Sequence, residues 1–358
     1  MIAILTSFFP VESTGDRTKR AKALILLLII ALFFVALASL TTGATQTPLY
    51  TALKTLMTGH EIGLREHIIL FDIRAPRTLM GMLVGAALAV SGAVMQGLFR
   101  NPLADPGLIG VSAGAGLGAI SAIVIGGLLP GYLLSSLGYY LVPVAAFLGG
   151  WISTILLYKV ATRQGRTSVA VMLLAGIALG ALTGALSGLL VYQADDSQLR
   201  DLTFWGLGSI AGATWDKVAM TAPLILLSLM VTPFLARGLN GLALGEATAM
   251  HLGIPVQRLK SIAILTVAGA VGAAVAASGG IGFVGIVVPH LLRLLIGPDH
   301  KYLIPASALL GAILLLVADM ISRTIIAPAE LPIGIVMAVI GGPFFLYILL
   351  RNRNILDL

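Results

Sequence analysis

Residues 74–118 read RAPRTLMGMLVGAALAVSGAVMQGLFRNPLADPGLIGVSAGAGLG, and this stretch decides the fold. After Arg77 no charged side chain occurs until Arg100. At about 1.5 Å per residue, such a run crosses roughly 30 Å of hydrocarbon as one helix. Arg100, Asn101 and Pro102 then end the helix at a water interface, because proline cannot continue the helical hydrogen bonds. The stretch therefore predicts a membrane-spanning helix, a turn and a second apolar helix.

The composition places the whole chain in a lipid bilayer. Of its 358 residues, 58% are hydrophobic and 10% are charged, whereas soluble domains carry about 25% charged residues. The absence of cysteine excludes disulfides and thiolate metal sites. The net charge of +7 comes from basic residues scattered between apolar runs, so no patch for nucleic acid is formed. The sequence has no P-loop motif, and an ATPase step would need a separate subunit.

Ten apolar runs predict an all-α polytopic membrane protein with about ten transmembrane helices in a single domain, residues 1–358. A polar tail, residues 1–22, precedes the first run, which we expect to be an uncleaved helix that starts inside. Residues 41–72 are polar enough for an external loop. The runs cover 23–40, 78–99, 107–127, 137–160, 168–192, 218–235, 262–277, 281–296, 303–321 and 333–350.

The distribution of Lys and Arg predicts the orientation. Threading ten helices from an inside N-terminus puts fifteen of these residues on the inner side and seven on the outer side. Because positive charge favours the cytoplasmic side, we expect both termini in the cytoplasm. The turn Ser278-Gly279-Gly280 carries no charge, but merging the two runs beside it would place the last three loops on the wrong side.

Several long motifs in this order resemble the FecCD-type permeases: RAPRTL, SGAVMQGLFRNPLADPGLIGVSAGAG, SGGIGFVGIVVPHLLR and AELPIGIVMAVIGGPFF. Those proteins are membrane subunits of binding-protein-dependent ABC importers for iron-siderophores, haem and cobalamin. The resemblance runs from about Leu70 to Arg351. It implies the type II ABC importer permease fold in the cell inner membrane. It also implies a homodimer, two ATP-binding cassette subunits that hold ATP and Mg, a periplasmic substrate-binding protein, and no cofactor in this chain.

One run carries a glycine at every helical turn: Gly176, Gly180, Gly184 and Gly188. A ridge without side chains either packs closely against another helix or presents a smooth wall to a large, flat solute. Both interpretations are open from the spacing alone. In the resembled family, this helix and the last one border the pathway between two permease copies.

Residues 242–260, LALGEATAMHLGIPVQRLK, form the most amphipathic internal stretch. Apolar residues recur near helical spacing, and we expect Pro255 to end the helix. The stretch lies on the inner side, either as a solvated loop helix or as a helix that docks into a partner. The resembled family places its coupling helices here, in contact with the ATPase. The resemblance implies a role in ATPase coupling for Glu246, His251, Leu252, Gly253 and Arg258.

Arg74, Arg77 and Arg323 lie at the predicted outer ends of helices. A single interfacial arginine is usually a topology anchor. Three on one face would suit carboxylates of an external protein, because guanidinium binds them in a bidentate way. The resemblance implies this docking role toward the binding protein. Asp319 is the acid inside an apolar run, and we expect it to pair with Arg323 at i, i+4.

Thr167 and Ser168 follow an inner turn, and Ser168 is a candidate helix N-cap. The resemblance implies that this turn contributes to a cytoplasmic gate. The histidines are separate in sequence and form no metal-ligand spacing. The GxGxxG pattern at Gly280–Gly285 has no preceding strand, which speaks against dinucleotide binding.

The sequence thus favours a non-enzymatic channel subunit of an ATP-driven importer, with haem as the expected cargo and an iron-siderophore or cobalamin as alternatives. A secondary transporter is the competing class. Such transporters carry charged residues at the membrane midplane, and here Asp319 is the only candidate.

Overall fold

The computed structural model describes residues 17–43, 54, 57, 63–132 and 137–351, so the N-terminal tail and most of the predicted external loop lie outside the described residues. In chain order, the α-helices are α1 (Thr18–Thr41), α2 (Ala75–Phe99), α3 (Val111–Ile125), α4 (Leu141–Ala161), α5 (Val169–Gln193), α6 (Asp196–Leu207), α7 (Trp215–Ala243), α8 (Glu246–His251), α9 (Val256–Ser278), α10 (Val284–Ile296), α11 (His300–Ser322) and α12 (Ile333–Arg351). A helical turn, Leu64–His67, and a π-helical segment, Ile68–Arg74, lead into α2.

The all-α polytopic architecture is confirmed. Eight helical segments of the described chain, those built on α1 to α5, α7, α9 and α11, are long and apolar enough to cross a bilayer. Helices α10 and α12 are apolar as well but shorter in their described extent. The ten predicted apolar runs therefore all correspond to helices. The break after α9 is also confirmed, because α9 ends at Ser278 and Gly279 turns the chain with a φ of 68°.

Helix α2 is the centre of the bundle. In its most apolar window 89% of the residues are buried, against 11% in α5. A helix that is apolar on all sides is stable only when other helices surround it. Glycines allow that close packing: a Cβ placed on Gly85 would collide with the carbonyl of Gly311 in α11, and one on Gly92 with the carbonyl of Gly285 in α10.

The two ends of the bundle are named here after the charged residues that lie there. At the Arg77 end, the last turns of α1 and α11 meet the first turn of α2, where Ser39, Arg77 and Asp319 lie close together. At the Lys260 end, the first turn of α9 meets α8 and the loop that precedes α5.

Two segments without α-helix enter the bundle between these ends, and the first of them contains a short 3-10 helix, Pro106–Ile109. Residues 100–110 fold back after α2, and residues 279–283 lead from α9 into α10. They meet beside Leu88 in the middle of α2, where a Cβ on Gly285 would lie 3.0 Å from Pro106 Cδ and 3.1 Å from the Leu88 carbonyl oxygen. Non-helical backbone at membrane depth is stable only where protein or a water-filled cavity surrounds it.

This geometry corrects the prediction of a full span at residues 281–296. Helix α10 has 13 residues, which at about 1.5 Å per residue cover roughly 20 Å. It therefore starts inside the bundle and crosses only part of a bilayer, because residues 279–283 cover the rest of the depth without a helix.

A small β-hairpin is the exception to the helical architecture in the described residues. Strands β1 (Thr162–Arg163) and β2 (Arg166–Thr167) pair antiparallel between α4 and α5. Gln164 and Gly165 have positive φ angles of 52° and 73°, as a two-residue hairpin turn requires.

Helix α6 was not predicted from the sequence, because half of its residues are polar and leave no apolar run. A capping box starts it: Asp195 accepts from the N–H of Gln198, whose side chain in turn accepts from the N–H of Asp195. The hydrogen bonds from Gln198 and Ser197 lower the pKa of the Asp195 carboxyl.

Candidate functional site

At the Arg77 end, one buried arginine holds two carboxylates. Arg77 donates from Nε to Asp319 Oδ1 at 3.0 Å and from Nη2 to the same oxygen at 2.8 Å. Its Nη1 and Nη2 donate to the two oxygens of Glu330, at 2.8 and 3.0 Å. The side chain of Asp319 is 0% exposed, whereas that of Glu330 is 39% exposed. One guanidinium thus joins a fully buried acid to an acid at the surface through charge-assisted hydrogen bonds.

Arg74 and Arg323 connect this cluster to α1. Arg74 Nη1 donates to the carbonyl oxygens of Leu40 and Thr41, at 3.0 and 2.9 Å. Arg323 Nη2 donates to the carbonyl and hydroxyl oxygens of Ser39, at 2.9 and 2.8 Å. These bonds satisfy carbonyls at the C-terminus of α1 that have no partner within the helix.

The burial of these arginines corrects one sequence expectation. Arg74, Arg77 and Arg323 do lie at one end of the bundle, as predicted, but only 4–5% of each residue is exposed. They are therefore not free interfacial cations. The expected pair between Asp319 and Arg323 is present at 3.5 Å, although Arg77 is the nearer partner of Asp319. The docking role of the three arginines stays a prediction.

At the Lys260 end, one buried lysine holds two elements. Lys260 Nζ donates to Glu246 Oε1 in α8 at 2.7 Å and to the carbonyl oxygen of Thr167 in β2 at 2.9 Å. One turn earlier in α9, Gln257 Oε1 accepts from the Thr167 N–H at 2.8 Å. The sequence analysis did not single out Lys260 or Gln257, which lie 93 and 90 residues from Thr167 along the chain.

The predicted coupling stretch, residues 242–260, has different bounds in the structure. Its first residues belong to α7 and its last belong to α9, so the loop and short helix between them span 244–255. The prediction that Pro255 ends a helix is wrong. Pro255 is the N-cap residue of α9, because proline is tolerated where no helical N–H bond is needed.

Most residues with a predicted coupling role are accessible. His251, Leu252, Gly253 and Arg258 are exposed, and Leu252 is 57% exposed although it is apolar. Glu246 differs, because its carboxylate is held by Lys260 and its side chain is 38% exposed. Met250 in α8 and Leu252 just after it thus expose apolar side chains, while Glu246 at the start of α8 is held by Lys260.

The glycines of α5 divide into two groups. A Cβ on Gly176 would lie 2.7 Å from the carbonyl oxygen of Leu108, so this glycine packs against the folded-back segment. At Gly180, Gly184 and Gly188 an added Cβ would meet nothing within 4 Å. For these three, the described chain offers no packing partner, and the face is open to a second molecule or a lumen.

Thr167 and Ser168 connect the hairpin to α5. Thr167 is 4% exposed, and its hydroxyl bonds to that of Thr162 at 3.0 Å. Ser168 is the predicted N-cap of α5, and its hydroxyl accepts from the Val171 N–H at 3.3 Å. The cap is confirmed, whereas a gate function stays a prediction.

The sequence analysis missed an acid at membrane depth. Asp105 lies in the folded-back segment and lines a cavity of about 230 Å³ with Leu88, Ser112 and residues 280–283. Its Oδ1 accepts from the Gly107 N–H at 2.7 Å. The apolar-run count did not include Asp105, because it precedes a proline in what reads as an interfacial turn. Asp319 is therefore not the only acid inside the bundle.

In the described residues, no group of three His, Asp or Glu side chains is close enough to hold a metal ion. His290 packs edge-on against Phe344, and His300 bonds to Asn240. Neither contacts the clusters around Arg77 and Lys260.

In the part of the chain that the structure describes, a bundle of ten apolar helices, with backbone breaks at mid-depth and a partly open glycine face, defines a multi-pass membrane transport protein. The chain belongs to the FecCD transport family, whose model matches residues 27–351.

Relatives and solved structures agree with this assignment. The chain is 45% identical to the hemin transport system permease protein HmuU of Yersinia pestis, over 91% of this chain and 95% of that one. It is 44% identical to the vitamin B12 import system permease protein BtuC of Citrobacter koseri, over 81% and 85%. A structure described as an inward-facing putative metal-chelate type ABC transporter matches with a TM-score of 0.81 and 32% identity, covering 92% of this chain and 99% of that one. The PsaBC structure from Streptococcus pneumoniae matches with a TM-score of 0.56 at 17% identity, which concerns the fold alone.

Proposed function

We propose that this chain is the membrane-spanning permease subunit of an ATP-driven importer and that its cargo is haem. The observation that carries the proposal is the 45% identity to a hemin permease over nearly the full length of both chains. Identities of 41–44% to vitamin B12 permeases are close to that value. The two groups of relatives are both permeases of transport systems, whereas the cargoes in their names differ.

The pathway is proposed to lie between two copies of the chain. Helix α5 has Met172 and Thr183 as its only buried residues, and Gly180, Gly184 and Gly188 have open space in front of them. A flat, partly apolar solute fits a smooth helix face without side chains. A second copy that presents the same face would close the pathway with twofold symmetry.

ATP hydrolysis is assigned to a separate ATPase, which would hold ATP and Mg. This chain has no P-loop motif, and α8 offers the ATPase an accessible surface. Exposed apolar side chains at Met250 and Leu252 suit insertion into a groove of a partner. On this basis the Lys260 end faces the cytoplasm, as the distribution of Lys and Arg predicts.

The Arg77 end is proposed to receive a periplasmic binding protein that delivers the cargo. Because Arg77 is buried, a carboxylate of that protein would reach it only where Glu330 now lies. The neighbouring loop offers further contact area, with Ile325 64% and Ile326 47% exposed. Docking would thus combine an apolar loop with competition for one guanidinium.

The test is reconstitution of the chain with its ATPase and binding protein in liposomes. We expect haem to stimulate ATP hydrolysis and to appear inside the liposomes, detected by its Soret absorbance. Stimulation by an iron-siderophore or cobalamin in place of haem would change the cargo and leave the importer class intact. Cargo uptake driven by an ion gradient, with no ATPase bound, would overturn the importer class itself.

A further inference from the structure

The ammonium of Lys260 is buried where a charge is costly. The side chain is 3% exposed, and a cation without partners in such a place would lose its hydration without compensation. Its two partners, Glu246 Oε1 and the Thr167 carbonyl oxygen, lie at 2.7 and 2.9 Å. Both bonds are charge-assisted, so the ammonium has a strong preference for keeping the two partners in place.

The two partners belong to elements with different proposed tasks. Glu246 is the first residue of α8, the short exposed helix between α7 and α9. Thr167 is the last residue of the hairpin and is followed directly by Ser168, the N-cap of α5. One atom, Lys260 Nζ, thus connects α8 to the residue that precedes the N-cap of α5.

A second side chain makes this connection stiff. Gln257, three residues before Lys260 in α9, accepts from the N–H of Thr167 at 2.8 Å. Residues three apart lie on the same helix face, so α9 holds both the N–H and the carbonyl of one residue in the hairpin. A movement of α9 at this point must move the start of α5, and Glu246 ties α8 to the same point.

We propose that Lys260 is a positioning residue that transmits movement of α8 to the first turn of α5. The inference rests on the proposed function, in which α8 contacts the ATPase and α5 borders the pathway. Lys260 touches neither ATP nor cargo. It keeps Glu246 and Thr167 at fixed distances, so that a shift of the ATPase reaches the pathway helix instead of being lost in a loose loop.

A purely structural role predicts a different response to substitution. Removing one partner of a buried ion pair normally destabilises a protein, but the Glu246 side chain is 38% exposed, so water can hydrate its carboxylate once the ammonium is gone. Lys260→Met keeps the length of the side chain and removes the ammonium. If Lys260 only fills space, transport per ATP is unchanged in this variant. If it transmits movement, the ATPase still turns over, but less cargo crosses for each ATP.

The experiment uses the complete complex in liposomes and measures cargo transported per ATP hydrolysed. We expect Lys260→Met to lower this ratio about tenfold, which corresponds to the loss of roughly one charged hydrogen bond. Lys260→Arg, which retains a cation and its donors, is expected to restore most of the ratio. For Glu246→Gln we expect a transport ratio between those of Lys260→Met and Lys260→Arg. Lys159→Met removes an exposed lysine at the same end and is expected to behave as the parent chain.

A second measurement reports on movement directly. The chain has no cysteine, so Val171→Cys, 43% exposed in the first turn of α5, gives a single site for a spin label. We expect ATP to change the label's mobility with Lys260 present and to leave it unchanged with Lys260→Met. A parent complex without ATP-driven uptake overturns the proposed function and the inference with it. A working complex in which Lys260→Met keeps both the transport ratio and the label response overturns the inference alone. If the Lys260→Met complex does not assemble, the Glu246→Gln complex is measured instead. A parental value of cargo transported per ATP in Glu246→Gln would then overturn the inference alone.

Discussion

Arg77 in α2 donates three hydrogen bonds to the carboxylate of Asp319 in α11, 2.8, 3.0 and 3.2 Å long, although 242 residues separate the two side chains. The Asp319 side chain has no exposed surface. Its charge also serves Arg323, at 3.5 Å. One carboxylate therefore balances two guanidinium groups where three helices meet, and each arginine needs it because neither can lose its proton at physiological pH.

The first prediction concerns this carboxylate. Asp319→Asn keeps the shape of the side chain but leaves Arg77 and Arg323 without their shared counter-charge. We expect a loss of about 3–5 kcal/mol, as for the breaking of a buried ion pair from one side. The measurement is the thermal unfolding midpoint of the purified chain in detergent. Asp196→Asn, an exposed acid in α6, serves as the control. Equal midpoints for the two variants would contradict a structural role for the cluster.

The second prediction concerns Glu330. Its side chain is partly exposed and occupies two donors of Arg77. Glu330→Gln weakens this internal competitor, so a carboxylate of the binding protein should gain access to Arg77. We expect affinity on the order of tenfold higher, about one charged hydrogen bond, and a steeper dependence on salt.

The affinity of the binding protein is measured on surface-immobilised permease at two salt concentrations. Asp201→Asn, which removes an exposed acid in α6, controls for the change in net charge. Weaker binding by Glu330→Gln than by this control would mean that Glu330 supports docking, and the competition model would be wrong.

The third prediction concerns ATPase contact through α8. A bulky residue at Gly253 is a poor probe, because Gly253 has a φ of 77°, where a bulky side chain would strain the backbone. Leu252→Asp is sharper: it puts a charge on an exposed apolar side chain and leaves the backbone alone. We expect the variant to insert normally and to lose ATPase copurification by tenfold or more, on the order of the cost of burying a charge in an apolar groove.

The matched control for the third prediction is Gly253→Asn, since asparagine tolerates the left-handed region. It should retain the ATPase. Undiminished copurification with Leu252→Asp would remove Leu252 from the interface.

The sequence predicted the helices well because run length decides membrane helices almost alone. It also placed Arg74, Arg77 and Arg323 at one end. It did not predict their burial. The local sequence around an arginine at a helix end does not show whether the guanidinium donates to water or to a carboxylate far along the chain, such as Asp319. Lys260 was missed for the same reason.

The depth of Asp105 was hidden by a different effect. Asn101-Pro102 marks the end of α2 correctly, but nothing local shows that the chain then turns back into the bundle. Pro255 was assigned to the wrong side of a helix boundary, because proline both stops helices and starts them.

The last prediction tests which face of α5 borders the pathway. Gly180 and Gly184 have open space in front of them, so Gly184→Cys should fold normally, whereas substitution of Gly176 would press against the Leu108 carbonyl. A lumen admits a charged, water-soluble thiol reagent, but lipid and packed protein exclude it. We therefore expect labelling of Gly184→Cys that changes when ATP is added to the complex. Leu182 is 57% exposed and lies about 200° around the helix from Gly184, so Leu182→Cys should stay unreactive in lipid. Equal labelling of the two cysteines would show that the reagent does not distinguish the faces. A well-folded Gly184→Cys that is unreactive in every nucleotide state would remove the glycine face from the pathway.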